Sequence, residues 1–108
     1  MAGEPVEVVT SPGNESLTNG FKNFAVAGTA EKLEAASTPC RGLGVQAKSG
    51  NMGSVWIGGA NVASDGSTGG LELTPGDMLP ISANHVDELY GNAAQNGDGV
   101  TFLFWRLT

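Results

Sequence analysis

The sequence predicts a small all-β domain: a β-sandwich or a jelly-roll-like barrel of short antiparallel strands, with at most one short helix. Short runs of β-branched and aromatic residues alternate with turn signals at a spacing of about 8–12 residues, which is typical of sandwiches and barrels. Glycine accounts for 17 of the 108 residues, against a usual ~7%. The last run, VTFLFWRL at residues 100–107, is apolar on both faces, so it belongs in the middle of a sandwich or against another subunit.

The length of 108 residues fits a single domain. Residues 4–10, EPVEVVT, predict a short strand, whereas residues 11–20, SPGNESLTNG, have the composition of a turn and a loop. We therefore divide the chain into an N-terminal strand and flexible arm, residues 1–20, and a β-sandwich domain, residues 21–108.

The next region leaves two readings open. Residues 22–27 form a second apolar stretch, which a glycine closes. Residues 29–37, TAEKLEAAS, have a helix-favouring composition, but they make only about two turns before Pro39 ends them. A strand over residues 31–33, followed by a loop, fits equally well.

A β-hairpin is predicted after Cys40. Residues 41–47, RGLGVQA, place their larger apolar side chains on alternate positions, as in a half-buried strand. Residues 48–53, KSGNMG, predict a turn, and residues 54–58, SVWIG, predict the returning strand.

A second strand pair is predicted in the following segment. Residues 59–70 form a long glycine-rich loop that is anchored by Val62, and a short strand follows at residues 71–73. The turn TPGD at residues 74–77 joins it to a partner strand at residues 78–82.

The remaining segments lead into the last strand. Pro80 restricts its strand to a sheet edge or a bulge, because proline has no amide hydrogen to donate. Residues 86–90 are a short apolar and acidic stretch, and residues 91–99, GNAAQNGDG, predict a turn. Residues 100–107 are the strand described above.

The charge balance excludes several classes of partner. Eleven acidic and five basic residues give a net charge of −6, which disfavours nucleic acid and anionic membranes because both would repel the chain.

No apolar run approaches the ~18 residues that cross a bilayer. The first residues, MAGEP, lack the features of a secretory signal. With a single cysteine, the chain can form no internal disulfide bond.

No catalytic, cofactor-binding or metal-binding constellation is recognisable. The glycine-rich loops lack the lysine and helix of a phosphate loop, and the NGDG stretch ending at Gly99 lacks the bidentate glutamate of a calcium loop. His85 is the only histidine, and Cys40 has no motif that would supply it with a base. The sequence therefore predicts a protein that is not an enzyme, with no cofactor and no metal.

Aromatic residues are the remaining candidates for an interaction. We select Trp56, Phe104 and Trp105 as candidate subunit-interface residues, because aromatic side chains in strands serve either the core or an interface. Trp56, Trp105, Tyr90 and Phe104 are also candidates for a platform on which a sugar stacks, and a carbohydrate-binding role predicts that Trp56 or Tyr90 is exposed.

Residues 28–103 resemble a group of small bacteriophage virion proteins. The resemblance rests on the order of five motifs: GTA, STPCRGLGVQA, GNMGSVWIGG, GLELTPGDMLPI and ELYGNAAQNGDGVTFL. It implies a non-enzymatic phage structural protein with a β-sandwich fold, most like the capsid decoration (cement) proteins. Residues 1–20 lie outside it.

The resemblance also implies a location and partners. Cement proteins commonly form trimers at local three-fold positions of the shell, so we expect a homotrimer that binds the major capsid protein. We expect it at the capsid surface of the virion, after synthesis in the cytoplasm of a bacterial host. The alternative is a tail, neck or fibre-associated component, including a carbohydrate- or receptor-binding module.

Overall fold

Two four-stranded antiparallel sheets pack face to face in a computed structural model, which describes residues 15–107. The strands are β1 (Glu15–Asn23), β2 (Glu31–Lys32), β3 (Cys40–Ala47), β4 (Val55–Gly58), β5 (Leu71–Leu73), β6 (Met78–Ile81), β7 (Tyr90–Ala93) and β8 (Gly99–Leu107). A single 3-10 turn, Val86–Glu88, and no α-helix accompany them in the described part. The predicted all-β sandwich is confirmed, while the strand predicted over residues 4–10 lies outside the described residues.

The front sheet has the strand order β1-β8-β3-β6, and the back sheet has the order β2-β7-β4-β5. β8 therefore lies inside the front sheet, paired along its length with β1 and with β3. Only one of the two apolar faces of β8 lies in the core, because Leu103 and Trp105 on the other face are exposed.

The core fills the space between the sheets. The inward residues of β3 and β8 alternate with outward ones, as the period-two pattern predicts. Fully buried side chains from both sheets meet there: Val45, Ala47, Val100, Phe102 and Phe104 from the front, and Val55, Ile57, Leu73 and Ala93 from the back.

The predicted hairpin of β3 and β4 is wrong, because the two strands belong to different sheets. The connection between them crosses the end of the sandwich and is fastened there to the start of β8. The Asp98 carboxylate accepts hydrogen bonds from the backbone N–H groups of Met52 and Gly53, at 3.0 and 2.8 Å. The alternating pattern identifies the buried face of each strand correctly, but it does not identify the neighbouring strand.

The predicted pairing of residues 71–73 with 78–82 is wrong for the same reason. The TPGD turn does form: the N–H of Asp77 donates to the Thr74 carbonyl at 2.9 Å, and Gly76 has a φ of +88°. It carries the chain from β5 in the back sheet to β6 in the front sheet. β6 is an edge strand, as Pro80 predicts.

Three further segments differ from the sequence prediction or decide between its alternatives. Residues 15–20, expected in a loop, form most of β1, and all nine residues of β1 pair with β8. The segment 29–37 contains the short strand β2 and no helix. The turn predicted over residues 91–99 begins only after β7, which continues to Ala93.

Candidate interaction surface

The three aromatic residues selected from the sequence lie in three different environments. Phe104 is 3% exposed and stacks on Phe102 in the core, with 6.0 Å between the ring centroids. Trp105 is exposed on the outer face of the front sheet. Trp56 lies on the outer face of the back sheet, half-buried. The structure does not bring these residues together, and Phe104 contributes to the core of its own chain.

The outer face of the front sheet, called the front face below, is rich in exposed apolar side chains. Five large hydrophobic residues point outward from it, each between 44% and 71% exposed: Leu17, Phe21, Met78, Leu103 and Trp105. Scattered single hydrophobic residues are ordinary on a protein surface, but a contiguous apolar patch of several hundred Å² marks a site of interaction.

The strand register arranges these side chains in three adjacent rows across the sheet. Each row takes one residue from each neighbouring strand: Leu17, Trp105 and Arg41 in the first, Asn19, Leu103, Gly44 and Pro80 in the second, and Phe21, Thr101, Gln46 and Met78 in the third. Because paired residues of antiparallel strands share a face, the apolar side chains lie on one face, with Asn19, Thr101 and Gln46 among them.

β1 places its apolar residues on the front face and not in the core. Its inward positions carry Ser16, Thr18, Gly20 and Lys22, whereas Leu17 and Phe21 point outward. A β-carbon added at Gly20 would lie 2.7 Å from the Phe102 ring, so this position cannot hold a larger inward side chain. Lys22 Nζ reaches Glu31 Oε1 of the back sheet at 2.7 Å. β1 thus gains little hydrophobic burial within its own chain.

A shallow groove of about 470 Å³ crosses the centre of the front face. The groove exists because Gly44 has no side chain to fill the space between Leu103 of β8 and Pro80 of β6. Phe21 and Met78 line its two sides. Lys48 Nζ lies 5.0 Å from the centroid of the Phe21 ring, which lines the groove. The groove has the shape and polarity to receive an apolar side chain of a partner.

Few charged side chains lie on this face. A bulge at Gly42, whose φ is +72°, places Arg41 opposite Trp105. The Arg41 guanidinium pairs with Glu15 Oε1 at 2.5 Å. Glu15 is the one acid among the outward-facing positions of the four strands, and Arg41 is the one base. The outward-facing strand positions therefore carry one paired acid and base, and Lys48 adds a positive charge over Phe21, although the chain carries −6.

The outer face of the back sheet is covered by the loop of residues 59–70. A β-carbon added at Gly66 would lie 2.7 Å from the Trp56 ring, so the loop backbone rests directly on the indole. Val62 is buried, and its carbonyl accepts a hydrogen bond from the side-chain amide of Asn92 at 3.0 Å. The Trp56 ring is therefore not an open platform for a sugar.

Cys40 and His85 both lie near the carboxylate of Asp87. Burial, together with the nearby carboxylates of Glu88 and Asp87, raises the pKa of the Cys40 thiol. His85 Nδ1 lies 3.4 Å from Asp87 Oδ1, and that carboxylate accepts a hydrogen bond from the N–H of Thr38 at 2.9 Å. The Thr38 bond holds the pKa of Asp87 below its ordinary value. A raised thiol pKa is the opposite of what an activated cysteine nucleophile needs.

Sequence reasoning selected Trp105 but missed the rest of the front face. The pattern that could have revealed it is in residues 17–21, where Leu17 and Phe21 alternate with polar and small residues. The loop composition of residues 11–20 concealed this alternation. The alternation of residues 100–107 places Leu103 on the same face of its strand as Trp105, but its neighbours depend on the register of β1 and β3.

Two negative findings apply to residues 15–107. They contain no group of three or more histidine, cysteine or acidic side chains placed to hold a metal ion. They also contain no helix with the length and apolar character that a membrane crossing requires.

Comparison with known proteins adds no relative. No protein-family model matches the chain, and no curated protein or solved structure matches it significantly.

Proposed function

We propose that this protein is a non-enzymatic structural component of a bacteriophage virion, a decoration (cement) protein that binds the outer capsid shell. The front face is the observation that carries the proposal. A chain that acts alone in water gains nothing from five exposed large hydrophobic residues on one sheet, whereas a chain that functions inside an assembly buries them. The order of the sequence motifs, through the resemblance to phage virion proteins, supports a phage shell as that assembly.

The mechanism would be stabilisation by binding. A ligand that binds the assembled shell and not its separated subunits shifts the equilibrium toward the shell by mass action. A homotrimer that contacts neighbouring subunits of the major capsid protein would add interface area between them. The shell would then resist the internal pressure of packaged DNA without any chemical step.

The test uses DNA-free shells assembled from the major capsid protein of the phage that encodes this chain. We expect the purified protein to co-sediment with these shells until its sites are saturated, and to raise the temperature at which the shells open. Shells that are already decorated serve as the control, because their sites are occupied. Failure to co-sediment at tens of micromolar (about the range in which weak specific complexes form) would overturn the proposal.

The alternative of a carbohydrate-binding module has less support. The backbone at Gly66 covers Trp56 and Tyr90 is half-buried, so the exposed aromatic rings among residues 15–107 are those of the front face, Phe21 and Trp105. Binding of host polysaccharide, measured as a thermal shift, together with no binding to shells would favour a tail or fibre component instead.

A further inference from the structure

We propose that Asn19 is a site of spontaneous deamidation, through which an unassembled chain places a carboxylate in the groove of the front face. The chain contains two Asn-Gly pairs, Asn19-Gly20 and Asn96-Gly97. The structure restrains the first pair weakly and the second strongly. The chemical step is independent of the proposed function, whereas its effect on binding rests on that function.

An Asn-Gly pair carries its own nucleophile. The backbone nitrogen of the glycine attacks Cγ of the asparagine side chain, and the amide nitrogen takes the proton of that nitrogen and leaves as ammonia. Water then opens the resulting succinimide ring to aspartate or isoaspartate, so the net change is the loss of ammonia and the gain of water. Glycine favours the step because it has no β-carbon to hinder the approach, and the reaction is intramolecular.

The turn that contains Asn96 is fastened at both reacting groups. Asn96 Oδ1 accepts a hydrogen bond from the N–H of Ala27 at 2.7 Å, and the N–H of Gly97 donates to the Phe24 carbonyl at 2.7 Å. The N–H of Phe24 donates in turn to the Asp98 carbonyl at 2.9 Å. Because the Phe24 ring is fully buried, the Gly97 nitrogen reaches the Asn96 side chain only when this packed segment moves.

The Asn19 side chain is exposed and, unlike that of Asn96, has no hydrogen-bond partner among residues 15–107. Gly20 is held through the pairing of β1 with β8, opposite Phe102. In the described sheet β1 is an edge strand, and none of its residues is fully buried. Segments with few buried contacts open locally at a low free-energy cost. The Gly20 nitrogen therefore becomes available to Asn19 whenever β1 lifts from β8.

The reaction changes the centre of the front face. Asn19 lies opposite Leu103 and lines the groove beside Phe21. A carboxylate at this position loses its water when a partner covers the groove, and an unpaired buried charge is costly. Lys48, whose Nζ lies 5.0 Å from the centroid of the Phe21 ring, is already bonded to Asn23 Oδ1 at 2.6 Å. Deamidation thus weakens binding through this face.

Binding and deamidation oppose each other. A partner that covers the front face holds β1 against β8, so the open and reactive state is less populated and the reaction slows. A chain that remains unbound deamidates and loses affinity for that partner. In the decoration role, the shell would retain copies with an intact Asn19 and exclude old unbound copies.

The experiment is peptide mass spectrometry of the full-length protein after incubation at mildly alkaline pH. Trypsin separates the two sites, because Asn19 lies in residues 1–22 and Asn96 lies in residues 49–106. In the folded protein we expect Asn19 to react at least about tenfold faster than Asn96, the factor that one or two hydrogen bonds supply. In urea, where neither site is restrained, the two rates should be similar.

The assignment of the site has a variant and two opposing outcomes. Asn19→Gln cannot form the same ring, so it should abolish the rapid mass change in residues 1–22. Equal rates at Asn19 and Asn96 in the folded protein would overturn the proposal. So would a folded protein in which Asn19 stays intact while both sites react in urea.

The effect on binding is measured by co-sedimentation with DNA-free shells, for a matched pair of variants. Asn19→Asp places the product carboxylate in the groove, whereas Asn61→Asp adds the same charge to the exposed loop over the back sheet. We expect Asn61→Asp to bind like the wild type and Asn19→Asp to bind at least about tenfold more weakly.

The two assays separate this inference from the decoration function. Equal binding of Asn19→Asp and Asn61→Asp would refute the effect of deamidation on assembly. A wild type that does not bind shells, but deamidates rapidly at Asn19, would refute the decoration function and leave the modification site standing.

Discussion

At Gly91 the absence of a side chain allows Phe24 to close one side of the core. The Phe24 ring is fully buried, and it occupies the space that a β-carbon on Gly91 would need. A tightly packed interior does not absorb an added methyl group without moving its neighbours, and such overpacking typically costs about 1–3 kcal/mol.

We therefore expect Gly91→Ala to lower the free energy of unfolding by about 1–3 kcal/mol, measured by urea denaturation. Gly50→Ala is the control, since Gly50 has open space around its β-carbon position and a backbone conformation that alanine adopts. Equal stability of the two variants would contradict the packing argument.

The carboxylate of Asp77 makes the stability of the TPGD turn depend on pH. Its Oδ2 accepts hydrogen bonds from Thr74 Oγ1 at 2.6 Å and from the Thr74 N–H at 3.0 Å. These bonds hold the pKa of Asp77 below its ordinary value of 3.8. A carboxylate whose pKa is lower in the folded state than in the unfolded state stabilises the fold at pH values above its unfolded pKa. This stabilisation is lost as the pH falls through the folded pKa.

Asp77→Asn should therefore lower the melting temperature near neutral pH, where the carboxylate is charged in both states. The difference from the wild type should shrink once the pH falls below 3.8. Thermal unfolding at a series of pH values checks this expectation. A difference that stays constant with pH would show that the charged form of Asp77 contributes nothing specific.

The connections between strands explain why the sequence predicts the sandwich but not its strand pairing. Alternation and turn chemistry are local, so they identify β3, β4 and the TPGD turn from the residues themselves. Which sheet a strand joins depends on contacts with residues far away in the chain. The connection after β3, for example, is set by Asp98, more than forty positions later.

The same limit applies to the front face. The alternation of β8 places Trp105 and Leu103 on one face, but because both faces are apolar it does not tell which face is buried. Leu17 and Met78 join them only through strand pairing across the sheet. The inward residues of β1 are polar or small, so the strand lacks the amphipathic pattern by which a buried strand is recognised.

Asp98→Ala should destabilise the fold by about 1–3 kcal/mol, because it leaves the N–H groups of Met52 and Gly53 without an acceptor where the connection crosses the sandwich. The measurement is equilibrium denaturation. Asp65→Ala is the comparison, since Asp65 accepts the Ser67 N–H at 2.9 Å within an exposed loop and should matter less. The opposite order would contradict the assigned role of Asp98.

The molecule as a whole has one sheet whose outer face is covered by its own loop and one whose outer face is apolar and open. Val62 and the backbone at Gly66 cover the back sheet at Trp56. The front sheet has no such covering among residues 15–107. None of the residues of β1 is fully buried. An assembly would supply to β1 the hydrophobic contacts that the single chain does not.

Hydrogen exchange measured by mass spectrometry can detect this dependence. In the isolated chain we expect the amides of β1 to exchange faster than those of β3, which has buried residues on its inner face and a paired strand on each side. When the protein is bound to a partner through the front face, the β1 amides should be protected to a similar degree as those of β3. Identical β1 exchange in the free and bound states would show that binding does not involve this strand.

The place of β8 in the front sheet also bears on synthesis at the ribosome. β8 is the last described strand to be translated, yet β1 and β3 both pair with it. Until it emerges, β1 lacks its partner in the described part of the sheet, and two of the rows lack Leu103 and Trp105. The front face is therefore complete only after β8 has been translated.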